Sequence, residues 1–599
     1  FPFLPRLVYS DMNGWGHYLE PYLWYTLYWV FLSVVMLAIG ALFWVRGSDT
    51  SWRFRWRLAR QRLTAPARAA LTVGLVGFVA TGAFIFYNTN ILNEYLPDDE
   101  RDRRRAQYES EYRTHKDLPF PRITAVHTDV DIHPTERRVE IRGVYTLHNK
   151  TGERITDIHL SVSPEVTINS IELPTHAVTL DDRRLGYRIC RLENPLEPDE
   201  TAEMRFDLEV TNPGFVNNDP NDLVAANGTF FTSEDYLPTV GYNKRIELQD
   251  RNTRRTHDLP PERRYASVDD LHALRNNELG ADADLVDFSS TISTSPDQIA
   301  IAPGYLQREW VQDGRRYFSY AMDTPIRNVY GFLSADWEVR RDRWRDIDIE
   351  VYYHAPHDAN IERMISSVKK SLEYCTTQFG PFQFRQVRIL EFPRYRTFAM
   401  SLPNTIPYSE AIGFVARIED EDDIDTVFYV TAHEIAHQWW AHQVVGADVQ
   451  GANMITESLS QYTALMVMEQ EYGRDTMRRF LKYELDRYLG GRGRDVQGEN
   501  PLLLVEHQPY IYYRKGSVVM YALRDYLGET TVNRALARYV RDVGFQDPPY
   551  TTSLDLRAVL EGESPEGSQR LFEDMLDTIT LFSNRVQNAT WTPTQEGQY

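Results

Sequence analysis

The chain has 599 residues, several domains' worth of protein with ample length for large cores. Its net charge of -21 argues against nucleic acid as a partner and suits an acidic, solvated exterior. Ordinary apolar (42%) and charged (25%) fractions exclude global disorder, and two cysteines, Cys190 and Cys375, are too few for a disulfide framework and read as buried thiols.

Residues 1–20 hold one Lys or Arg, Arg6, and are expected outside the cytoplasm. Residues 21–45 carry no charge and would span about 37 Å as a helix, long enough to cross a bilayer with tilt. Trp24, Tyr25, Tyr28 and Trp29 crowd one end and Trp44 marks the other, as interfacial belts do. A second charge-free stretch, 69–88, places Ala70, Gly74, Gly77 and Thr81 in a small-residue stripe suited to close helix packing. Between them, residues 46–68 carry Arg46, Arg53, Arg55, Arg57, Arg60, Arg62 and Arg68, a bias that holds a loop in the cytoplasm. The chain therefore leaves the cytoplasm again after Asn88, and everything downstream is expected at the periplasm or cell exterior.

A charged connector over 89–117 precedes alternating runs such as Arg138–Leu147, Glu203–Val210 and Tyr317–Met322, which predict a β-sandwich over 118–345. Arg251–Arg264 reads as a charged, solvated loop. A helix from Asn360 to Phe379 and a strand from Val387 to Phe392 open a further α/β domain over 346–530. Its central helix is predicted from Asp425, a capping residue, to Val445, because Val427, Val430, Ile435 and Trp439 supply buried positions without interruption by Pro or Gly. A helical region, 531–585, follows, and 586–599 reads as the start of a further segment. Both chain ends look cut from something longer.

The central helix carries His433-Glu434-Ile435-Ala436-His437. Histidines four apart stack on one helix face, where both rings can meet one tetrahedral zinc, while Glu434 projects toward a water there. Two histidines need a third ligand from a second helix, and Thr456-Glu457-Ser458 opens one that stops by Gly473. Here the chain resembles the aminopeptidase N-like gluzincin metallopeptidases, whose third ligand is the Glu of an N-E-G segment. Glu457 takes that place, with nineteen residues between it and His437, one more than is usual in the family. The glycines of Val444–Asn453 let the loop absorb the difference.

The resemblance implies more. Tyr513-Arg514-Lys515-Gly516 matches the family's Y-x-K-G segment, whose tyrosine donates to the oxyanion, although Tyr510 and Tyr512 lie beside it. The family's G-x-M-E-N strand edge, which grips the substrate's free amine, falls on Ala399-Met400-Ser401-Leu402, and its closing Y-x-E falls on Tyr408 and Glu410. Serine thus replaces the amine-binding carboxylate, and Glu410 is the nearest acid in sequence that could be recruited instead. The implied fold is two transmembrane helices, a β-sandwich like the family's amino-terminal domain, and a thermolysin-like α/β domain running into helices.

The expected function is hydrolysis of peptide bonds with one zinc on His433, His437 and Glu457, Glu434 as base and Tyr513 as oxyanion donor. Asn88–Tyr95 and the Ser401-to-Glu410 variant resemble the carboxy-terminal half of bacterial fusions between an ABC transporter permease and such a peptidase. That likeness implies a lipid bilayer, further transmembrane helices and an ATP-binding subunit as partners besides the peptide. Two alternatives stay open: a transport-complex subunit, or a zinc-containing scaffold with little or no hydrolysis.

Overall fold

The computed structural model describes residues 4–45, 51–217, 220–261, 265–420, 423–496, 498–581 and 587–588. Two compact units make up the chain. One comprises Phe1–Arg264, Leu279–Tyr374 and Phe382–His442; the other comprises Tyr265–Glu278, Cys375–Pro381 and Gln443–Tyr599. Apart from 587–588, the expected final segment 586–599 lies outside the described residues, as do Arg46 and Arg264.

The first unit opens with helices α1 (Leu19–Phe43), α2 (Trp52–Arg62) and α3 (Ala65–Phe86). α1 and α3 are long and apolar enough to cross a membrane. They pack against each other at the small-residue stripe: a Cβ on Gly77 would lie 2.4 Å from the Phe31 ring, and one on Gly74 2.8 Å from Val35. Much of their outward surface is apolar and exposed, with Leu37 74% and Val76 62% exposed. The arginine-rich stretch between them forms helix α2 rather than a loop, since nothing in Trp52–Arg62 breaks a helix. Arg62 reaches back to the carbonyls of Ala41 (3.2 Å) and Trp44 (2.5 Å), where a cation suits the negative end of α1.

The connector is a helix, Asp98–Tyr112, with Asp98, Asp99 and Glu100 at its positive end. Tyr108 and Tyr112 bury themselves against Leu185, Tyr187 and Tyr242. Its Glu109 takes a two-pronged ion pair from Arg254, at 2.7 and 2.8 Å. This corrects the reading of Arg251–Arg264 as a solvated loop: Arg251–Thr256 is a helix, and Arg254 is buried because its fork matches a buried carboxylate.

The β-region is built on an eight-stranded sheet in which Arg122–His133 pairs antiparallel with Arg138–His148 and parallel with Leu285–Thr294. Alternate residues Val130, Ile132, Val139 and Ile141 face a core shared with Ile158, Leu160 and Cys190 of a four-stranded sheet. A second four-stranded sheet, Glu338–Trp344, Ile347–Tyr353, Gln386–Phe392 and Thr405–Ser409 in that order, carries the α/β domain. Its last three strands run parallel, and helix Ile361–Gln378 intervenes in sequence between the second and third, as a parallel connection requires.

The second unit is helical. Leu459–Tyr472, Arg474–Arg492, Gly516–Leu527, Glu529–Val543 and Ser553–Gly562 are its main elements. Tyr462 donates to Asn533 at 2.9 Å across its buried interior.

Candidate active site

In the first unit the histidine helix runs Thr426–Ala436, shorter than the sequence predicts, with His437 closing it in turn geometry. Asp425 caps it, accepting the Phe428 N–H at 2.8 Å. Val427, Ala432 and Ile435 are fully buried, and Trp439 packs on Phe382. This anchoring aims three polar side chains the other way, and His433, Glu434 and His437 are each less than 10% exposed.

His433 Nε2 and His437 Nε2 lie 3.0 Å apart. His437 Nδ1 meets the Trp440 carbonyl at 3.1 Å. A carbonyl only accepts, so Nδ1 carries the proton and Nε2 presents its lone pair to the neighbouring imidazole. A buried imidazole held in that tautomer by a backbone carbonyl is the arrangement of a metal ligand. The donor set therefore fits zinc.

Segment 399–402 folds back on the edge strand Thr405–Ser409 through the bridges Ala399↔Tyr408 and Leu402↔Thr405. Met400 N–H bonds the Pro407 carbonyl at 3.0 Å. Gln438, next to the second histidine, secures this edge. Its Nε2 donates to Ser401 Oγ at 2.6 Å and to the Leu402 carbonyl at 3.0 Å, while its Oε1 accepts the Asn404 N–H at 3.1 Å. His442 Nε2 bonds the Ser401 carbonyl at 3.1 Å. Sequence reasoning missed Gln438; its one signal was a lone amide inside a run of buried residues. Burial holds His442 down to about 3, so it stays neutral.

Glu410 is fully enclosed. Ser10 Oγ donates to it at 2.5 Å, the Asp11 N–H at 2.8 Å and the Arg394 N–H at 3.2 Å. The acid that could have replaced the missing amine ligand is thus committed to the amino-terminal segment.

In the second unit Glu457 sits in a π-helical turn, Met454–Ser458, that leads into Leu459–Tyr472. Tyr513 sits in another, Tyr510–Lys515, ahead of Gly516–Leu527. Such turns are rare and cluster at functional sites. A π turn holds one residue more than an α turn, so the extra spacing before Glu457 has a place here as well as in the loop. Tyr513 donates to Glu457 Oε1 at 2.8 Å, whereas Tyr510 bonds Asp495 at 2.7 Å. Gly516 lets the two turns meet, since a Cβ there would lie 2.2 Å from Ser458 Oγ. Lys515 and Arg514 serve the scaffold, paired with Glu499 and Glu484 at 2.7 Å each.

Residues 364–568 match the family model for the Peptidase family M1 domain. The chain is 23% identical over 293 residues to Aminopeptidase M1-A of Oryza sativa subsp. japonica, covering 47% of this chain and 32% of that protein. It is 20% identical over 298 residues to Tricorn protease-interacting factor F2 of Thermoplasma acidophilum, covering 48% and 37%. The chain thus spans about a third of the length of these curated relatives. Among solved structures, the M1 zinc metallopeptidase from Deinococcus radiodurans shares the fold with a TM-score of 0.54 at 14% identity, over 78% of this chain and 97% of that one. A mutant of it bound to a Tyr-ser-ala substrate aligns with a TM-score of 0.53 at 15% identity, over 76% and 94%. The matched segment is a zinc metallopeptidase domain, a type that uses one catalytic zinc ion.

Proposed function

We propose that this chain is a membrane-anchored peptidase that hydrolyses peptide bonds outside the cytoplasmic membrane, with one zinc on His433, His437 and Glu457. The observation that carries the reading is the pair of imidazoles, 3.0 Å apart, with the His437 tautomer set by the Trp440 carbonyl. Zinc, when bound, polarises a peptide carbonyl and acidifies water. Glu434 takes the proton from the attacking water and passes it to the leaving amine. Tyr513 donates to the oxyanion, for which its hydroxyl first leaves Glu457.

Membrane anchoring is supported by α1 and α3, whose outward apolar side chains, Leu37 and Val76 among them, are largely exposed. The arginine-rich stretch between them supports a cytoplasmic α2 and a catalytic domain on the periplasmic side of a bacterial inner membrane. The setting within an ABC transporter permease, with further transmembrane helices and an ATP-binding subunit, rests on the resemblance of the sequence to such fusions.

Ser401 offers a neutral hydroxyl, already bonded to Gln438, where a carboxylate would grip an ammonium group. We assign the enzyme a correspondingly weak demand for a free amino terminus. The test of the whole reading is cleavage of a mixed peptide library by the full chain, with zinc removed by chelation and restored. Cleavage that follows zinc supports it; full zinc binding without cleavage of any peptide overturns it in favour of a scaffold.

A further inference from the structure

A second group of metal-ligating side chains lies in the first unit, away from the histidine helix. Asp11, His357 and Glu410 each bring one ligand atom within 4.8 Å of the others. They come from three separate pieces of chain. Asp11 stands in the tight turn closed by the Ser10–Gly14 bridge, His357 follows strand Ile347–Tyr353, and Glu410 ends strand Thr405–Ser409.

The histidine is held as a ligand is held. Its Nδ1 meets Glu391 Oε1 at 2.6 Å, and the other oxygen of Glu391 accepts the His354 N–H at 2.7 Å. A buried carboxylate behind a histidine fixes the ring orientation and raises its donor strength, the second layer found around metal-bound imidazoles. Nε2 then faces Asp11 Oδ2 at 3.2 Å. This is no surface patch of acids, since Glu391 and Glu410 are fully enclosed and His357 is 7% exposed.

Charge points the same way. Asp11 and Glu410 act on both His354 and His357, while Glu391 acts on His357 and Asp336 on His354. Two buried carboxylates and a third at the surface around one imidazole call for a proton or a divalent cation. Imidazole disfavours calcium and magnesium, which prefer oxygen, and suits zinc, while the two carboxylates also admit manganese.

We infer that Asp11, His357 and Glu410 form a second divalent-metal site, for zinc or manganese, which clasps the turn before α1 to the edge of the catalytic sheet. Asp11 is the open side, its side chain 43% exposed, where water can complete the coordination. This inference does not rest on the peptidase reading, because it shares no ligand with His433, Glu434 or His437.

The experiment uses the full chain in detergent, stripped by chelator and titrated with Zn2+ alone. Metal per chain is read by elemental analysis and thermal stability in parallel. The unaltered chain is expected to take up two equivalents, and Asp11→Asn, at a half-exposed position, one. His433→Ala with His437→Ala is expected to keep one equivalent and its Zn2+-dependent rise in Tm, both lost on adding Asp11→Asn. If the double variant fails to fold, the drop from two to one in Asp11→Asn decides. Two equivalents retained in both Asp11→Asn and His357→Gln overturn the site. So does an unaltered chain whose only equivalent is lost with His433 and His437; the cluster is then a protonated His357 shared between carboxylates. One equivalent that is lost with Asp11 instead keeps this site and removes the catalytic one.

Discussion

The Tyr513 hydroxyl donates to Glu457 Oε1 at 2.8 Å, so the proposed oxyanion donor is spent on the proposed zinc ligand in the resting chain. Tyr513→Phe should therefore act twice. Loss of an oxyanion donor should lower kcat on the order of a hundredfold or more. Loss of the bond to the ligand should weaken zinc by about 10- to 100-fold. Steady-state kinetics at saturating zinc, beside a zinc titration, separates the two. A purely structural tyrosine would weaken zinc and leave kcat at saturating metal unchanged.

Glu434→Gln is the cleaner dissection of the chemistry. The amide fills the same buried space on the helix but cannot accept a proton from water. Zinc content and Tm should match the unaltered protein, while turnover falls about 10²- to 10⁴-fold, the usual range for a general base. Retained turnover would show that another group takes the proton.

The contact between the two π turns depends on one glycine. A Cβ at Gly516 would lie 2.2 Å from Ser458 Oγ and 2.8 Å from Ser458 Cβ, one residue from Glu457. Gly516→Ala should cost about 1–3 kcal/mol as overpacking, measured by denaturant unfolding, and should weaken zinc as well. An alanine that is silent in both would mean that Ser458 has room to move.

What was legible in the sequence is what local chemistry decides. Asp425 as a cap, His433 and His437 on one face, and Gly473 as a stop all follow from side chains within a few turns of each other. Contacts between distant parts of the chain left no such trace. Glu410 finds Ser10 from 400 positions away, and Glu109 finds Arg254 across 145. Glu410 reads as an available acid and Arg254 as part of a solvated loop, because neither partner can be inferred from periodicity. The π turns under Glu457 and Tyr513 were invisible for another reason: they break the 3.6-residue repeat by which helices are recognised.

Away from the site, His159 should give the β-region a pH dependence. Burial first, then the nearby His115, hold it down to about 4 from an ordinary 6.5, and its Nδ1 lies 2.9 Å from the Tyr187 hydroxyl. Between those two values the unfolded chain binds a proton that the folded chain refuses, so stability rises with pH. His159 should thus withdraw up to roughly 3 kcal/mol as pH falls from 6.5 to 4, with no further change below. His159→Gln should flatten that part of the Tm-versus-pH curve. An unchanged slope would place the titration elsewhere.

Substrate choice is the sharpest test of the altered edge strand. Ser401 Oγ receives its hydrogen bond from Gln438 at 2.6 Å and carries no charge. Glu410, the acid nearest in sequence, is enclosed and holds Ser10, Asp11 and the Arg394 N–H. A substrate ammonium then lacks a charge-assisted bond worth about 1.5–3 kcal/mol, roughly 10- to 150-fold in discrimination. A peptide and its N-acetylated twin should accordingly be cleaved with kcat/KM values within about tenfold of each other. Ser401→Glu should restore a preference for the free amine if the position faces the substrate as the resemblance implies. A large loss on acetylation in the unaltered enzyme would show that some other carboxylate reads the amine. If Glu410→Gln then abolished that loss, Glu410 would be the reader despite its present partners.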